Sequence, residues 1–462
     1  MLNKDQIKEL LVLACSTGAD FAELYFENTY TQGVNVELQK VMNVSKNNIH
    51  GVGLRLLKGL DESYGYTNDT SYEGVLKLVN QLKGFYNSDV TITDVNFEEE
   101  ASRAILDFSN NNRSNAFDLK TEYCLRITKA SKDLDPKIIQ AVSTYSEHVQ
   151  EVLICNTNGV FVTDERNQAR FTAMAVALDG TNKQSGSAQY GGNLTIDGFK
   201  DFDFEELGEK ASKQALVMLE AEDVVGGVYD VVINNCFGGV IFHEACGHGL
   251  EASSVARGLS VFANKLGEKV AADCVTAIDD GTIVNEWGSL NYDDEGHKTN
   301  KNVLIENGVL KSYMVDFKNT RLMDHKATGS GRRESYKYCP TSRMTNTYID
   351  NGPYEFEDLI KATKYGIFAK DLGGGQVNPA TGEYNFGCNE SYLIEDGKIT
   401  KPLKGVTLIG NGAETLMKID MVANNREFGY GMCGSASGSV HACVGQPTIR
   451  VRNMTVGGNG GK

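Results

Sequence analysis

The sequence has no apolar segment long enough to span a membrane, since no window approaches the run of about 18 apolar residues that such a helix needs. Its first 14 residues also lack the order of a secretory signal, which has a basic start followed by an uncharged apolar core. Charged residues instead occur throughout this segment, in the pattern of an ordinary amphipathic helix. We therefore expect a soluble protein of the cytoplasm.

Closely spaced cysteine pairs are absent as well. The ten cysteines are scattered singly over 462 residues, which argues against zinc-finger spacing and against a disulfide framework in so long a chain. Basic residues are outnumbered, 45 against 61 acidic ones, and the net charge of −16 repels nucleic acids and anionic membranes. The composition therefore disfavours DNA binding, while the length allows two or three domains with substantial cores.

One short stretch, Ile241 to Glu251, narrows the chemistry of the chain more than any other. It holds two imidazoles around a carboxylate, namely His243, Glu244 and His248. With seven histidines in the chain, a chance match of this kind is on the order of one per cent. Two neutral imidazoles bind Zn²⁺ well, and the carboxylate next to the first can take the proton from a metal-bound water. The stretch therefore predicts a hydrolytic metal site of the metallopeptidase kind.

The spacing of the two histidines differs from the usual metallopeptidase helix, where they are four residues apart. Here they are five apart, which on a regular α-helix would separate them by roughly 140° around the axis. A single wide turn of the π type holds about 4.4 residues and would return both rings to one face. We therefore predict a helix over Gly239 to Leu250 that widens or breaks between Glu244 and His248, a distortion that Gly247 and Gly249 make easy.

A catalytic zinc usually has three protein ligands and one open position, so a third donor is needed from elsewhere in the chain. Cys433 stands among glycines, and His441 and Cys443 follow it closely. Chemistry alone leaves these three candidates open. Cys246 lies inside the motif but is expected to point away from the metal, whereas Glu251 is a candidate ligand or a partner that orients a histidine.

Several further motifs occur in an order that resembles the TldD/PmbA peptidases, and specifically the TldD-type subunit that carries the metal. Each motif is weak alone, but their order is specific and covers essentially the whole chain. The motifs are Ala22–Phe26, Gly51–Leu56, Phe242–Glu251, Asp294–Gly296, Leu304–Gly308, Gly331–Glu334, Arg343–Thr347, Gly431–Gly434 and Val444–Thr448.

The resemblance implies one zinc per chain, held by His243, His248 and Cys433, with Glu244 as the general base. It further implies that short or unfolded polypeptides enter a closed chamber between two subunits, in a homodimer or in a heterodimer with a PmbA-type subunit. The PmbA type lacks the histidine pair, so its presence here favours the catalytic subunit. We expect neither nucleic acid nor membrane as a partner.

The predicted function is hydrolysis of peptide bonds by a zinc-activated water, with Glu244 removing the proton and returning it to the leaving amine. The alternative is a non-catalytic peptide-binding or regulatory subunit whose metal is structural. Arg332 and Arg333 are candidates for binding a substrate carboxylate, although a solvated loop pair is the competing interpretation. His297 and His325 are expected at the surface and are not assigned to the metal.

The predicted fold class is α+β, a two-domain TldD/PmbA-like fold. Residues 1–224 form a mixed α/β domain, and residues 225–462 form a mainly antiparallel β domain that carries the metal helix. Asn307-Gly308 and Asp396-Gly397 predict tight hairpin turns. The predicted helices after the first are Tyr72–Phe85, Glu98–Phe108, Leu119–Lys132, Phe204–Ala221, Phe317–Met323, Phe356–Thr363 and Gly412–Ala423.

Overall fold

The computed structural model of the protein describes residues 2–98, 103–106, 116–378 and 381–460. Within these residues the α-helices are α1 Lys4–Ala14, α2 Tyr72–Leu82, α3 Phe117–Asp133, α4 Phe204–Leu219, α5 Val240–Phe242, α6 Ala252–Val255, α7 Phe317–Thr320, α8 Phe356–Lys361 and α9 Gly412–Met417. None of them is both long enough and apolar enough to cross a membrane.

Strands are more abundant than helices in the same residues. In the first half they are β1 Phe21–Glu37, β2 Lys40–Lys58, β3 Asp61–Thr67, β4 Ile138–Asn156, β5 Phe161–Asp179 and β6 Asn182–Asn193. In the second half they are β7 Glu222–Asp223, β8 Gly227–Ile233, β9 Ala277–Asp280, β10 Lys301–Glu306, β11 Val309–Leu310, β12 Gly331–Arg332, β13 Thr341–Ser342, β14 Asn346–Ile349, β15 Tyr365–Val377, β16 Glu383–Glu395, β17 Lys398–Lys404, β18 Thr407–Asn411, β19 Ile419–Val422, β20 Glu427–Ser435, β21 Gly438–Gln446 and β22 Ile449–Gly457.

In the described residues of the first half, the strands form one antiparallel sheet of six strands in the order β3-β2-β1-β4-β5-β6. Alternate residues of a strand point to opposite faces, and one face of β1 packs against helices along its length. Leu24 and Phe26 pack under α1 and α2, while Val34 and Val36 pack under α3 and α4. All the helices of this half that contact β1 therefore cover one face of the sheet.

The other face of this sheet meets the second half of the chain through buried charges. Arg333 pairs with Glu23 of β1, and Arg166 of β5 pairs with Asp294 at 2.6 Å. Arg55 of β2 likewise pairs with Glu295 at 2.5 Å. Buried ion pairs require precise geometry and further hydrogen bonds to offset the loss of hydration. They therefore fix how the two halves sit against each other.

The second half contains an eight-stranded sheet, a six-stranded sheet and a two-stranded ribbon, β12-β13. The eight-stranded sheet follows the order β15-β8-β22-β18-β16-β17-β7, with β19 beside β22, and an additional pairing of β15 with β16 closes part of it into a ring. The six-stranded sheet has the order β11-β10-β9-β14-β21-β20. Most pairs are antiparallel, and β14–β21, β8–β15 and β7–β17 are parallel. The α+β class with a mainly β second half is confirmed.

The predicted tight turns are confirmed by left-handed backbone at both positions. Asn307 and Gly308 have φ of 48° and 81°, and Asp396 and Gly397 have φ of 48° and 72°. The predicted helix over Gly412–Ala423 is wrong beyond Met417, because the next residues form β19 and pair with β22. The predicted helix over Glu98–Phe108 falls largely outside the described residues, and the domain boundary at residue 224 stays a prediction.

Candidate metal centre

The segment that carries the two histidines changes helix type three times over fifteen residues. A 3₁₀ turn over Cys236–Gly239 leads into α5, a π turn follows over His243–Gly247, and a second 3₁₀ turn ends the segment at His248–Leu250. The predicted widening is confirmed, and it lies where the spacing required it. The π turn brings both imidazoles to one side, with ring centroids 5.3 Å apart.

Cys433 meets the two histidines from the hairpin formed by β20 and β21. Its Sγ lies 3.1 Å from Nε2 of His243 and 3.3 Å from Nε2 of His248. In tetrahedral zinc sites, metal bonds of about 2.0 to 2.3 Å leave sulfur and nitrogen ligands about 3.5 Å apart. The three side chains are therefore spaced as ligands of one ion would be, and the donor set of two imidazoles and a thiol suits zinc.

The electrostatics of this cluster also suit a cation. Burial opposes ionisation of Cys433, but His243 and His248 outweigh it and lower the pKa of the thiol to about 3. Burial likewise disfavours the charged form of His248, but Glu251 and Cys433 together raise the pKa of its imidazole well above the ordinary value. Cys433 is therefore a thiolate at neutral pH, which is the form that binds a metal.

Two carboxylates flank His248 and differ in exposure. An oxygen of Glu244 lies 3.6 Å from Nε2 of His248, and this side chain is 30% exposed. Glu251 is buried, and its carboxylate lies 3.2 Å from the other ring nitrogen, Nδ1. Glu244 is therefore within reach of water beside His248. Glu251 is placed to orient the ring from behind.

Family models match the chain in three consecutive pieces. They are the PmbA/TldA metallopeptidase domain 1 at residues 22–84, the central domain at residues 110–219 and the C-terminal domain at residues 226–458. The chain belongs to the PmbA/TldD family of metallopeptidases. The resemblance seen in the sequence motifs is confirmed.

Curated relatives of this PmbA/TldD chain extend over nearly its full length. A "Metalloprotease TldD homolog" of Haemophilus influenzae is 37% identical over 448 residues, covering 95% of this chain and 93% of the relative. The homologue of Buchnera aphidicola from Acyrthosiphon pisum is 32% identical and covers 99% and 96%. A metalloprotease of Methanocaldococcus jannaschii is 32% identical and covers 97% and 99%.

Solved structures support the PmbA/TldD fold. A putative modulator of DNA gyrase from Thermotoga maritima superposes with a TM-score of 0.79 at 21% identity, covering 98% of this chain and all of that one. TldE from Thermococcus kodakarensis superposes with a TM-score of 0.78 at 18% identity, covering 98% and 99%. At this level of identity the likeness concerns the fold.

Arg343 supports the strand that carries Cys433. In the sequence it is marked only as the first residue of one of the PmbA/TldD motifs, without a role. Its guanidinium is fully buried and donates to the carbonyl oxygen of Cys433 and, at 2.9 Å, to that of Gly438. Its Nε lies 3.9 Å from the carboxylate of Glu251. The Arg343 guanidinium thus links the hairpin that carries Cys433 with the carboxylate of Glu251, which contacts His248. Its contacts join segments about 90 residues apart, so no local pattern reveals them.

The glycines around the π turn have a packing role. Gly247 has ordinary helical dihedrals, φ −55° and ψ −51°, so its backbone freedom is not used. A Cβ on Gly247 would overlap the sulfur of Met344, and one on Gly412 would overlap the carbonyl oxygen of Ala245. The expectation that Gly247 eases the distortion is therefore replaced by a requirement for close approach of neighbouring atoms.

The other candidate donors lie elsewhere in this PmbA/TldD chain. Cys443 contacts the carbonyl oxygen of Gly429, and His441 packs on Trp287. Cys246 is buried in the hydrophobic core, as expected. Within the described residues, neither Cys443 nor His441 shares a metal-sized cluster with the histidine pair.

A second cluster within the described residues joins Asp293, Glu295 and His297, but its groups are already engaged. Asp293 accepts the backbone N–H groups of Glu295 and His297, and Glu295 pairs with Arg55. The imidazole of His297 is 32% exposed beside Asp293, so this histidine is only partly at the surface.

Arg332 and Arg333 are both buried, and the interpretation as a solvated loop pair is wrong. Arg333 pairs with Glu23 of the N-terminal sheet. Arg332 donates to the carbonyl oxygens of Met344 and His441, at 2.8 and 2.6 Å. A role of either in binding substrate stays a prediction.

Proposed function

We propose that this chain is a zinc-dependent peptidase subunit, with one zinc held by His243, His248 and Cys433 and with Glu244 as the general base. The observation that carries the proposal is the convergence of the Cys433 sulfur on the two Nε2 atoms. Three protein donors beside a half-exposed carboxylate fit a catalytic zinc, which keeps one position open, better than a closed structural site with four ligands.

Zinc, when bound, supplies a Lewis acid that acidifies water and polarises a peptide carbonyl. Glu244 is close enough to the ligand atoms to take a proton from a water there and to return it to the leaving amine. Glu251 and Arg343 hold His248 and the Cys433 strand in place. In this mechanism Glu244 must stay in contact with water in order to transfer the proton, which agrees with its partial exposure.

We propose short or unfolded polypeptides as substrates. His243 and Cys433 are 3% and 5% exposed, so a scissile bond must reach them through the side on which Glu244 is open. An extended chain can enter such a site, whereas the surface of a folded protein cannot. We further propose that the active assembly is a homodimer or a heterodimer with a PmbA-type subunit, which would enclose the site in a chamber.

Replacing the general base tests the mechanism. Glu244→Gln should keep about one zinc per chain while cleavage of an unfolded peptide falls by about 10² to 10⁴-fold, the usual contribution of a general base. Glu209→Gln, an exposed carboxylate on α4, serves as the control and should keep full activity. Retained turnover by zinc-loaded Glu244→Gln would overturn the mechanism.

Two cysteine variants test which residues bind the zinc. Cys433→Ser should lose zinc during dialysis against a chelator, whereas Cys443→Ser should retain it, because Cys443 lies against Gly429 and away from the histidines. Equal zinc retention in both variants would contradict the assignment of Cys433.

A further inference from the structure

A polar cavity of about 240 Å³ lies between the N-terminal sheet and the β20–β21 hairpin. His148 and Gln168, cross-strand neighbours on β4 and β5, line one wall. Met432 and His441, cross-strand neighbours on β20 and β21, line the opposite wall. Alternate strand residues face opposite sides, so the cavity is distinct from the site reached by Cys433.

The floor of this cavity contains a buried cation without an acidic partner. Arg332 is 3% exposed, forms no ion pair within the described residues, and its Nε has no hydrogen-bond acceptor. The Nε of Arg333, which also lines the cavity, lacks an acceptor too. Buried guanidinium N–H groups without acceptors are costly. A ligand oxygen in the cavity would accept from the Arg332 guanidinium.

Of the three arginines that line the cavity, Arg332 is the one that forms no ion pair within the described residues. Arg166 pairs with Asp164 and Asp294, and Arg333 pairs with Glu23. Burial, together with the neighbouring Arg166 and Arg343, outweighs nearby carboxylates and lowers the pKa of Arg332 to about 10. An anion in the cavity would restore the balance.

The rim of the cavity is open to solvent. Met432 is 50% exposed, and Glu334 and Ser439 are exposed beside it. Glu334 is the carboxylate that lines this cavity, and it is held at the rim by the backbone N–H of Ser439, which donates to it at 2.7 Å. A small ligand can therefore enter past Glu334, with its anionic end at the arginine floor.

We propose that this cavity binds the carboxylate of a residue-sized ligand, such as the C-terminal residue of a peptide or a free acylamino acid. Guanidinium groups match the planar shape of a carboxylate, and the side-chain oxygen of Gln168, which has no hydrogen-bond partner within the described residues, can accept from the adjacent amide N–H of the ligand. The volume holds a carboxylate with one short residue. The proposal goes beyond peptide hydrolysis and does not depend on it.

Calorimetry with the full-length, zinc-loaded Glu244→Gln chain tests this proposal without hydrolysis of the probe. N-acetylglycine should bind at least about tenfold more tightly than N-acetylglycinamide, which has the same shape without the charge, because one buried charge-assisted contact contributes about that much. N-acetyl-triglycine, added as a third probe, distinguishes a peptide C-terminus from a free acid. Equal binding of the acid and the amide would overturn the proposal.

Three variants locate the binding. Arg332→Gln should abolish the preference for the acid. Gln168→Glu should do so as well, by placing a negative charge on the wall without disturbing the backbone contacts of Arg332, so the test survives if Arg332→Gln fails to fold. His243→Ala, which should lose zinc, should still bind N-acetylglycine. Loss of binding together with zinc would show that the carboxylate binds the metal and would overturn the proposal.

Discussion

At the scale of single residues, the centre depends on a balance of charge between Cys433, His248 and Glu251. The thiol is ionised because two imidazoles outweigh the cost of burial, and the pKa of His248 is raised because two anions do the same. Without metal, His248 therefore holds a proton at neutral pH. Zinc must displace this proton to bind.

Because the pKa of His248 is raised, zinc affinity should still depend on pH above the pH at which an ordinary histidine has lost its proton. Above the ordinary histidine pKa the apparent affinity should keep rising with pH, by up to about tenfold per pH unit, the effect of one displaced proton. Cys433 adds nothing in this range, because its pKa of about 3 leaves it ionised throughout. Titration of the chain with zinc against a competing chelator measures the slope.

Glu251→Gln supplies the control for this prediction. Removing the anion beside Nδ1 should lower the pKa of His248, so the slope should flatten and the affinity near pH 7 should become less sensitive to protons. A slope unchanged by Glu251→Gln would contradict the charge balance described above.

The histidine pair and its carboxylate could be predicted from the sequence, because their types and spacing are local. The third ligand could not be chosen by chemistry alone, because Cys433, His441 and Cys443 lie close together in sequence, and only the pairing of β20 with β21 puts Cys433 on one face of the hairpin and the other two on the opposite face. Arg343 was passed over for the same reason, since its partners come together only in the folded chain.

At the scale of elements, the π turn is kept in position by the backbone of α9, which approaches it closely. The first residue of α9, Gly412, packs against the carbonyl oxygen of Ala245 within the turn. The sequence predicted the turn from a five-residue spacing. It did not predict this support, because Gly412 and Ala245 are far apart in the sequence and meet only in the folded chain.

Gly412→Ala should weaken zinc binding without altering a ligand, since the added methyl group must push the π turn away from its position. We expect a loss of about 1 to 3 kcal/mol in the free energy of unfolding, as for other overpacked sites, together with lower zinc retention. Gly374→Ala is the matched control, because no atom lies within 4 Å of its added methyl group. Zinc retention by Gly412→Ala equal to that of Gly374→Ala would contradict this role of the close approach.

At the scale of the whole molecule, buried ion pairs join the N-terminal sheet to the half that carries the metal. The sequence could not predict them, because arginine and glutamate are usually surface residues and nothing local marks Glu23 or Arg333 as partners. The α+β class was predictable from strand alternation and from turns such as Asn307-Gly308. The order of the strands was not, since pairing depends on residues far apart in sequence.

Glu23→Ala should destabilise the chain by about 3 to 5 kcal/mol, because it leaves Arg333 buried and unpaired. Asp179→Ala breaks the exposed pair with Lys137 and should cost less than about 1 kcal/mol. Denaturant unfolding of both variants with zinc present makes the comparison. Similar losses in the two would show that the buried pairs do not hold the halves together.

The most direct test of the metal centre is an anomalous diffraction map of the crystallised chain at the zinc absorption edge. We expect one peak per chain, within about 2.0 to 2.3 Å of Nε2 of His243, Nε2 of His248 and Sγ of Cys433, with no fourth protein ligand on the side of Glu244. A map with no peak between these atoms, or with a fourth protein ligand closing the site, would contradict this expectation.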